Sequence, residues 1–187
     1  MSLNIIFGCM FSGKSSYLLT SIRKYEEIGW PIFIITSSFD KRYTSDAKIV
    51  NHNQEFTIAN ASVKLLATVS NLKEYLEAKV IIIEEGQFFE DLVEFVLESV
   101  EKYNKHVIVA GLDGDASRKP FGKLLDLIPY CDNIIKLKAL CKKCSIDGFM
   151  NDAIFTSNKG TITSTIDVGS SDKYEALCRK HFLENNK

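Results

Sequence analysis

Three groups of residues in this chain have the types and spacing to do chemistry. The first is Gly8-Cys9-Met10-Phe11-Ser12-Gly13-Lys14-Ser15, two glycines four residues apart followed by Lys-Ser. Glycines at those places let backbone N–H groups close on phosphate oxygens, and a helix opening at Lys14 adds its positive end. Lys14 is then placed to bridge the β- and γ-phosphates of a nucleotide, and Ser15 to ligand Mg²⁺. The second group is Glu84-Glu85, which ends the apolar run Val80-Ile81-Ile82-Ile83. Successive strand residues face opposite sides, so the two carboxylates take different tasks. One orients Mg²⁺ and its waters from the edge of a neighbouring parallel strand; the other faces an acceptor hydroxyl as general base. The third group is Cys141-Lys-Lys-Cys144 with Cys178-Arg-Lys-His181, two chelating pairs that suit tetrahedral Zn²⁺. Cys9 and Cys131 fall outside any pair and are assigned to packing.

These groups need elements to hold them. "LNIIF" (3–7) predicts a buried strand. Tyr17, Leu18, Leu19, Ile22, Tyr25 and Ile28 then recur at helical spacing up to Gly29, a helix stop. "PIFIIT" (31–36) predicts a second strand, and the polar run 39–53 a long loop. A short strand over 63–67 and a short helix over 71–78 lead to the strand "VIIIEE" (80–85). A helical pattern runs on to about 103. The strand "HVIVAGL" (106–112) follows, then a glycine-containing loop, a helix near 121–128 and the strand "NIIKLK" (133–138). Apolar strands alternating with helices predict an α/β fold, a mainly parallel sheet covered on both faces. The character changes at Ala139, where clustered cysteines give way to Thr-rich β-like sequence and a short charged helix. The expected division is therefore a core over 1–138 and a small metal-binding unit over 139–187. Two charged pairs, Arg118 with Lys119 and Asp40 with Arg42, lie on loops; the first belongs to the carboxyl edge of the sheet, where ligands bind.

Composition narrows the partners. The 187 residues are 45% hydrophobic and 25% charged, with a formal net charge of −1. That balance offers no electrostatic reason to bind nucleic acid or an anionic membrane. The longest apolar runs are strand-length, too short to span a bilayer, and the N-terminus lacks the basic start of a signal peptide. Three of the five cysteines cluster near the C-terminus, which fits metal ligation in a reducing, cytoplasmic setting.

Read together, "GCMFSGKSS", "FDKRY", "VIIIEEGQFF", "VIVAGLDGDASRKPFG", "LIPYCDNIIKLKALCKKC" and "DKYEALCRKHF" resemble the thymidine kinases of the cellular and poxviral type, in order along nearly the whole chain. The resemblance implies transfer of the γ-phosphoryl group of ATP to the 5′-hydroxyl of thymidine. It implies a RecA-like P-loop core, a zinc-anchored lasso closing over the nucleoside, and a homotetramer. By position it makes Glu85 the general base and Glu84 the metal-side acid. Gly8, Met10, Phe11, Ser12, Gly13, Lys14 and Ser15, with Asp40, Arg42 and Gln87, complete the ATP·Mg²⁺ site. Met10, Phe88, Leu112, Phe121 and Tyr174 surround the nucleoside, and Cys141, Cys144, Cys178 and His181 hold a structural Zn²⁺.

The chain departs from that pattern at several places. Glu84 stands for the usual Asp, Cys9 for a Pro, Ala116 for an aromatic residue and His181 for a fourth Cys, and the lasso is several residues longer. Two other readings of the same motifs are an ATP-driven nucleic-acid-binding protein with a zinc ribbon, and a related nucleoside kinase of altered base specificity.

Overall fold

The computed structural model describes residues 1–39, 48–51, 53–160 and 173–185. Strand β1 (Ser2–Phe7) runs into the glycine loop, and helix α1 (Lys14–Glu27) starts directly after it. The helix stops where the periodicity ends: Gly29 takes φ +66° and Trp30 N–H returns to the Tyr25 carbonyl. Then come β2 (Ile32–Ser37), the hairpin strands β3 (Lys48–Val50) and β4 (Phe56–Ile58), β5 (Ala61–Val63), helix α2 (Lys73–Glu77) and β6 (Val80–Ile83). Helix α3 (Leu92–Leu97) widens into a π-type turn over Glu98–Lys102 before β7 (His106–Gly111). After β8 (Asn133–Lys136) lies the small C-terminal unit. It comprises β9 (Ala139–Leu140), α4 (Lys142–Ile146), β10 (Asp152–Ala153), β11 (Phe155–Asn158), β12 (Tyr174–Leu177) and α5 (Arg179–Asn185).

Among the described residues, six strands form one sheet in the order β5-β2-β6-β7-β1-β8, and every pair in it is parallel. Strand alternation divides the interior into two layers. Leu3, Ile5, Ile81, Ile83, Val107 and Val109 face α3 and the 124–130 segment; Ile6, Val80, Ile82, Ile108 and Ala110 face α1. A fully parallel sheet buried on both faces explains the unbroken Val/Ile runs. The carboxyl ends of β1, β6 and β7 share one edge, which brings the glycine loop, Glu84-Glu85 and the 112–122 loop together.

Several expectations shift. The acid strand β6 is not beside β1, because β7 lies between them. The strand expected at 63–67 ends at Val63, because the Asp91 carboxylate accepts the N–H groups of Leu66 and Ala67 and caps a 3₁₀ turn there. The helix expected near 121–128 is a 3₁₀ segment over Leu124–Tyr130 containing Pro129, which has no N–H for an α-helical bond. Part of the expected 39–53 loop is strand, β3, paired with β4. On α1, Leu18, Leu19 and Ile22 are buried, whereas Tyr17 and Ile28 are exposed. With Tyr25 they border a groove of about 340 Å³ floored by Ile6, Ile108 and Ile135.

Candidate active site

The glycine loop is shaped for an anion. Gly8 packs so tightly that a Cβ there would lie 2.3 Å from the Leu137 carbonyl oxygen, and Gly13 takes φ +87° to hand the chain to α1. Phe11 is also left-handed, at φ +65°. Lys14 folds back over the loop, its Nζ donating to the carbonyls of Gly8 (3.1 Å) and Cys9 (2.9 Å). The Ser12 hydroxyl is buried with no hydrogen-bond partner among the described residues. A buried orphan hydroxyl costs free energy unless a ligand satisfies it.

The two carboxylates part company, but not by strand alternation: β6 ends at Ile83, short of the expected 80–85, and Glu85 departs through a left-handed turn. Glu84 continues β6, its N–H donating to the Ile35 carbonyl, and its side chain lies on the α1 face, where Ser15 Oγ donates to Oε1 at 2.6 Å. Glu85 leaves the strand in the left-handed region at φ +55°, a conformation that costs a non-glycine residue on the order of 1 kcal/mol. Its carboxylate accepts a short hydrogen bond from Gln87 Nε2. Gln87 is itself buried, and its Oε1 accepts the Leu112 N–H at 2.9 Å. The Gln87 amide therefore ties Glu85 to the end of β7. Two glycines make room for it: a Cβ on Gly111 would lie 2.5 Å from Gln87 Oε1, and one on Gly122 would lie 2.0 Å from its carbonyl oxygen.

Phe88, whose N–H donates to the Glu85 carbonyl at 3.0 Å, belongs to an aromatic wall. Phe88 meets Phe121 edge-on at 5.6 Å between centroids and Phe39 at 6.3 Å. The loop bearing Phe121 is held by Asp115, whose Oδ1 accepts the N–H groups of Ser117 and Lys119, and by an ion pair of Asp113 with Lys136 at 2.7 Å. Arg118 packs against the C-terminal unit. Its guanidinium sits over the rings of Phe182 (5.0 Å) and Phe155 (5.6 Å) of the C-terminal unit. Met10 is buried, Leu112 and Tyr174 are half-buried, and Asp40 and Arg42 lie outside the described residues.

The C-terminal unit gathers its four expected ligands. Cys141, Cys144, Cys178 and His181 bring their ligand atoms within 4.8 Å of one another. Zinc bonds of about 2.3 Å to sulfur and about 2.0 Å to nitrogen, set tetrahedrally, would separate S from S by about 3.8 Å and S from N by about 3.5 Å. The Cys144–Cys178 sulfurs are 3.8 Å apart, and His181 Nδ1 lies 3.4, 3.4 and 3.5 Å from the three sulfurs. The residues fit the ion, with Nδ1 as the ligating nitrogen and Nε2 turned to Glu184 at 4.0 Å. Burial pushes the Cys141 thiol up, but hydrogen bonds from the Cys144 and Cys178 backbone, with His181, outweigh it and bring the pKa to about 6. That favours the thiolate that a metal needs.

One contact had no signal in the sequence. Cys9 is buried in the apolar layer of the C-terminal unit, and the Met10 N–H donates to Thr156 Oγ1 at 2.9 Å, across 146 residues of chain. Burial raises the Cys9 thiol above its ordinary pKa, consistent with a packing role.

Comparison with known proteins bears on the same residues. A family model described as thymidine kinase matches residues 1–182. Thymidine kinase a of Arabidopsis thaliana is 38% identical over 186 residues, 99% of this chain and 76% of that one. The thymidine kinase of Variola virus is 37% identical over 183 residues, 98% of this chain and 97% of its own length. The cytosolic thymidine kinase of Homo sapiens is 37% identical over 177 residues, 95% of this chain and 71% of its own.

Proposed function

The chain belongs to the thymidine kinase family, and from that premise we propose how its residues move the γ-phosphoryl group of ATP to the 5′-hydroxyl of thymidine. Residues Gly8 to Ser15 wrap the phosphates, the Ser12 hydroxyl gaining the partner it lacks. Lys14 exchanges its two carbonyl contacts for the β- and γ-oxygens, where negative charge develops during transfer. Ser15 and Glu84, already in contact, would hold Mg²⁺ through the hydroxyl and through water. Mg²⁺ when bound neutralises the phosphate oxygens.

Glu85 accepts the 5′-hydroxyl proton as the oxygen attacks in line. Gln87, by engaging one carboxylate oxygen, turns the other toward the acceptor. Phe88, Phe121, Leu112, Met10 and Tyr174 wall the nucleoside, and Asp40 and Arg42, outside the described residues, are assigned to the sugar and phosphates by the sequence resemblance alone. Most of the acceleration comes from positioning, since phosphoryl transfer asks little covalent chemistry of the protein. The observation that carries this reading is the divergence of the two carboxylates. Glu84 faces the metal-side serine, while the left-handed Glu85 leaves the strand and is held by Gln87.

The same reading covers the coarser features. Residues 1–138 are the catalytic core and 139–187 the lasso unit, with Zn²⁺ structural. No helix among the described residues is long and apolar enough to cross a membrane, and we place the enzyme in the cytoplasm. A homotetramer is the proposed assembly, and the groove beside Tyr17 and Ile28 is an apolar surface available to a second copy. Chromatography of a mixture of protein, ATP, Mg²⁺ and thymidine tests the function: thymidine 5′-monophosphate and ADP should form in equal amounts. ADP without the nucleotide product would contradict it.

A further inference from the structure

Two consecutive residues of the phosphate loop, Cys9 and Met10, are fastened to the C-terminal unit, while Gly8 before them abuts the chain just past β8. Gly8 lies against the Leu137 carbonyl. The Cys9 side chain, 2% exposed, packs among Cys141, Cys144, Ala153 and Leu177, and its thiol donates to the Ala153 carbonyl at 3.4 Å. The Met10 N–H donates to the buried Thr156 Oγ1 at 2.9 Å.

The peptide group between Cys9 and Met10 is thus gripped at both ends. Its N–H is held by Thr156 on β11, and its carbonyl oxygen accepts Lys14 Nζ at 2.9 Å and the Ser12 N–H at 3.4 Å. Rotating that one plane would move Ser12, whose N–H it accepts and whose hydroxyl lacks a partner among the described residues, and would shift the place where Lys14 rests before nucleotide arrives. Thr156 in turn stands on a strand paired with β12, which leads straight into Cys178. Cys9 touches the layer that contains Cys141 and Cys144. The metal-bearing knuckle and the phosphate loop therefore share one packed, hydrogen-bonded seam.

We infer that Thr156 and Cys9 are positioning residues through which the zinc-held unit sets the phosphate loop, so that zinc retention and ATP binding are energetically coupled. The inference rests on the reading that the loop binds ATP. Coupling of this kind is reciprocal: whatever zinc does for ATP affinity, ATP does for zinc affinity. A side chain that only supports the fold would change zinc retention with and without nucleotide alike.

The test uses the full chain, without thymidine, so that no contact with the acceptor enters. Zinc transfer to a chromogenic chelator is followed with and without a non-hydrolysable ATP analogue in excess Mg²⁺, and analogue affinity is measured by calorimetry. In the unsubstituted protein the analogue should slow zinc transfer about tenfold. Thr156→Val keeps the shape, removes the acceptor and strands the Met10 N–H; it should bind the analogue about tenfold more weakly and lose most of the slowing. Thr156→Ser, which retains Oγ, should restore both, and Cys9→Ala should show a smaller loss of each. Equal slowing in all four proteins, with analogue affinities within about twofold, would overturn the coupling. If Thr156→Val does not fold, Cys9→Ala and Thr156→Ser carry the comparison on the same criteria. Failure of the unsubstituted protein to bind the analogue at all would instead remove the nucleotide-binding reading.

Discussion

Replacing Cys144 by Ser removes one of the ligands that tie residues 141–144 to residues 178–181. Cys144 and Cys178 are 34 residues apart in sequence, so zinc held there would close a loop of that length. Treated as a cross-link, closing such a loop removes roughly 13 cal/mol/K of unfolded-chain entropy, about 4 kcal/mol at 25 °C. Whole-domain stabilities are on the order of 5–15 kcal/mol, so the loss is a large fraction of the total. For a chain of this size it corresponds to a fall in Tm of roughly 10 °C. A serine hydroxyl does not replace a thiolate on zinc, whereas Cys₃His and Cys₄ sets are both competent. Metal analysis and thermal unfolding of the unsubstituted protein, Cys144→Ser and His181→Cys decide the matter. The first and third should hold about one zinc per chain with similar Tm; the second should lose both metal and stability. Undiminished zinc in Cys144→Ser, or loss of zinc with no change in Tm, would refute the cross-link argument.

Other outcomes follow from the site. Glu85→Gln preserves the partner of Gln87 and removes only the base; turnover should fall at least about 100-fold with ATP affinity unchanged, and retention of more than about a tenth of the activity would take Glu85 out of that role. Gly122→Ala places a Cβ 2.0 Å from the Gln87 carbonyl oxygen at φ +59°, so urea unfolding should show a loss of about 2–4 kcal/mol, and an unchanged midpoint would contradict the packing. Burial holds His106 below its ordinary pKa of 6.5, so the unfolded chain binds its proton more readily. Stability should therefore fall as pH drops from about 6.5 through the folded-state value and be independent of this group above it. His106→Asn should lose that part of the slope in urea titrations at stepped pH, and an identical slope in both proteins would count against it.

Much of this site is legible in sequence because it is local. The strand, glycine loop and helix that surround Lys14 announce themselves through spacing and periodicity, whereas Glu84 and Glu85 are split by a left-handed turn at Glu85 that strand alternation does not foresee. The zinc ligands are legible for the same reason, as two short chelating pairs. What is lost is whatever depends on chain crossings. Apolar runs show that β1, β6 and β7 are strands but not that β7 lies between the other two. The stacking of Arg118 over Phe155 and Phe182 joins segments far apart in sequence and has no local signature. Thr156, one of many threonines in its segment, is distinguished only by a contact 146 residues away. Cys9, which the sequence marks only as a packing residue, becomes the side chain that seals that loop onto the C-terminal unit.

The central claim is that this site delivers a phosphoryl group to a nucleoside rather than to water. Label transfer from γ-³²P-ATP to thymidine, deoxycytidine, deoxyadenosine and deoxyguanosine, with parallel release of inorganic phosphate in the presence and absence of DNA, tests it most directly. The account predicts label in thymidine 5′-monophosphate above the other products and no stimulation of phosphate release by DNA. Label appearing only in inorganic phosphate, and faster with DNA, would contradict it.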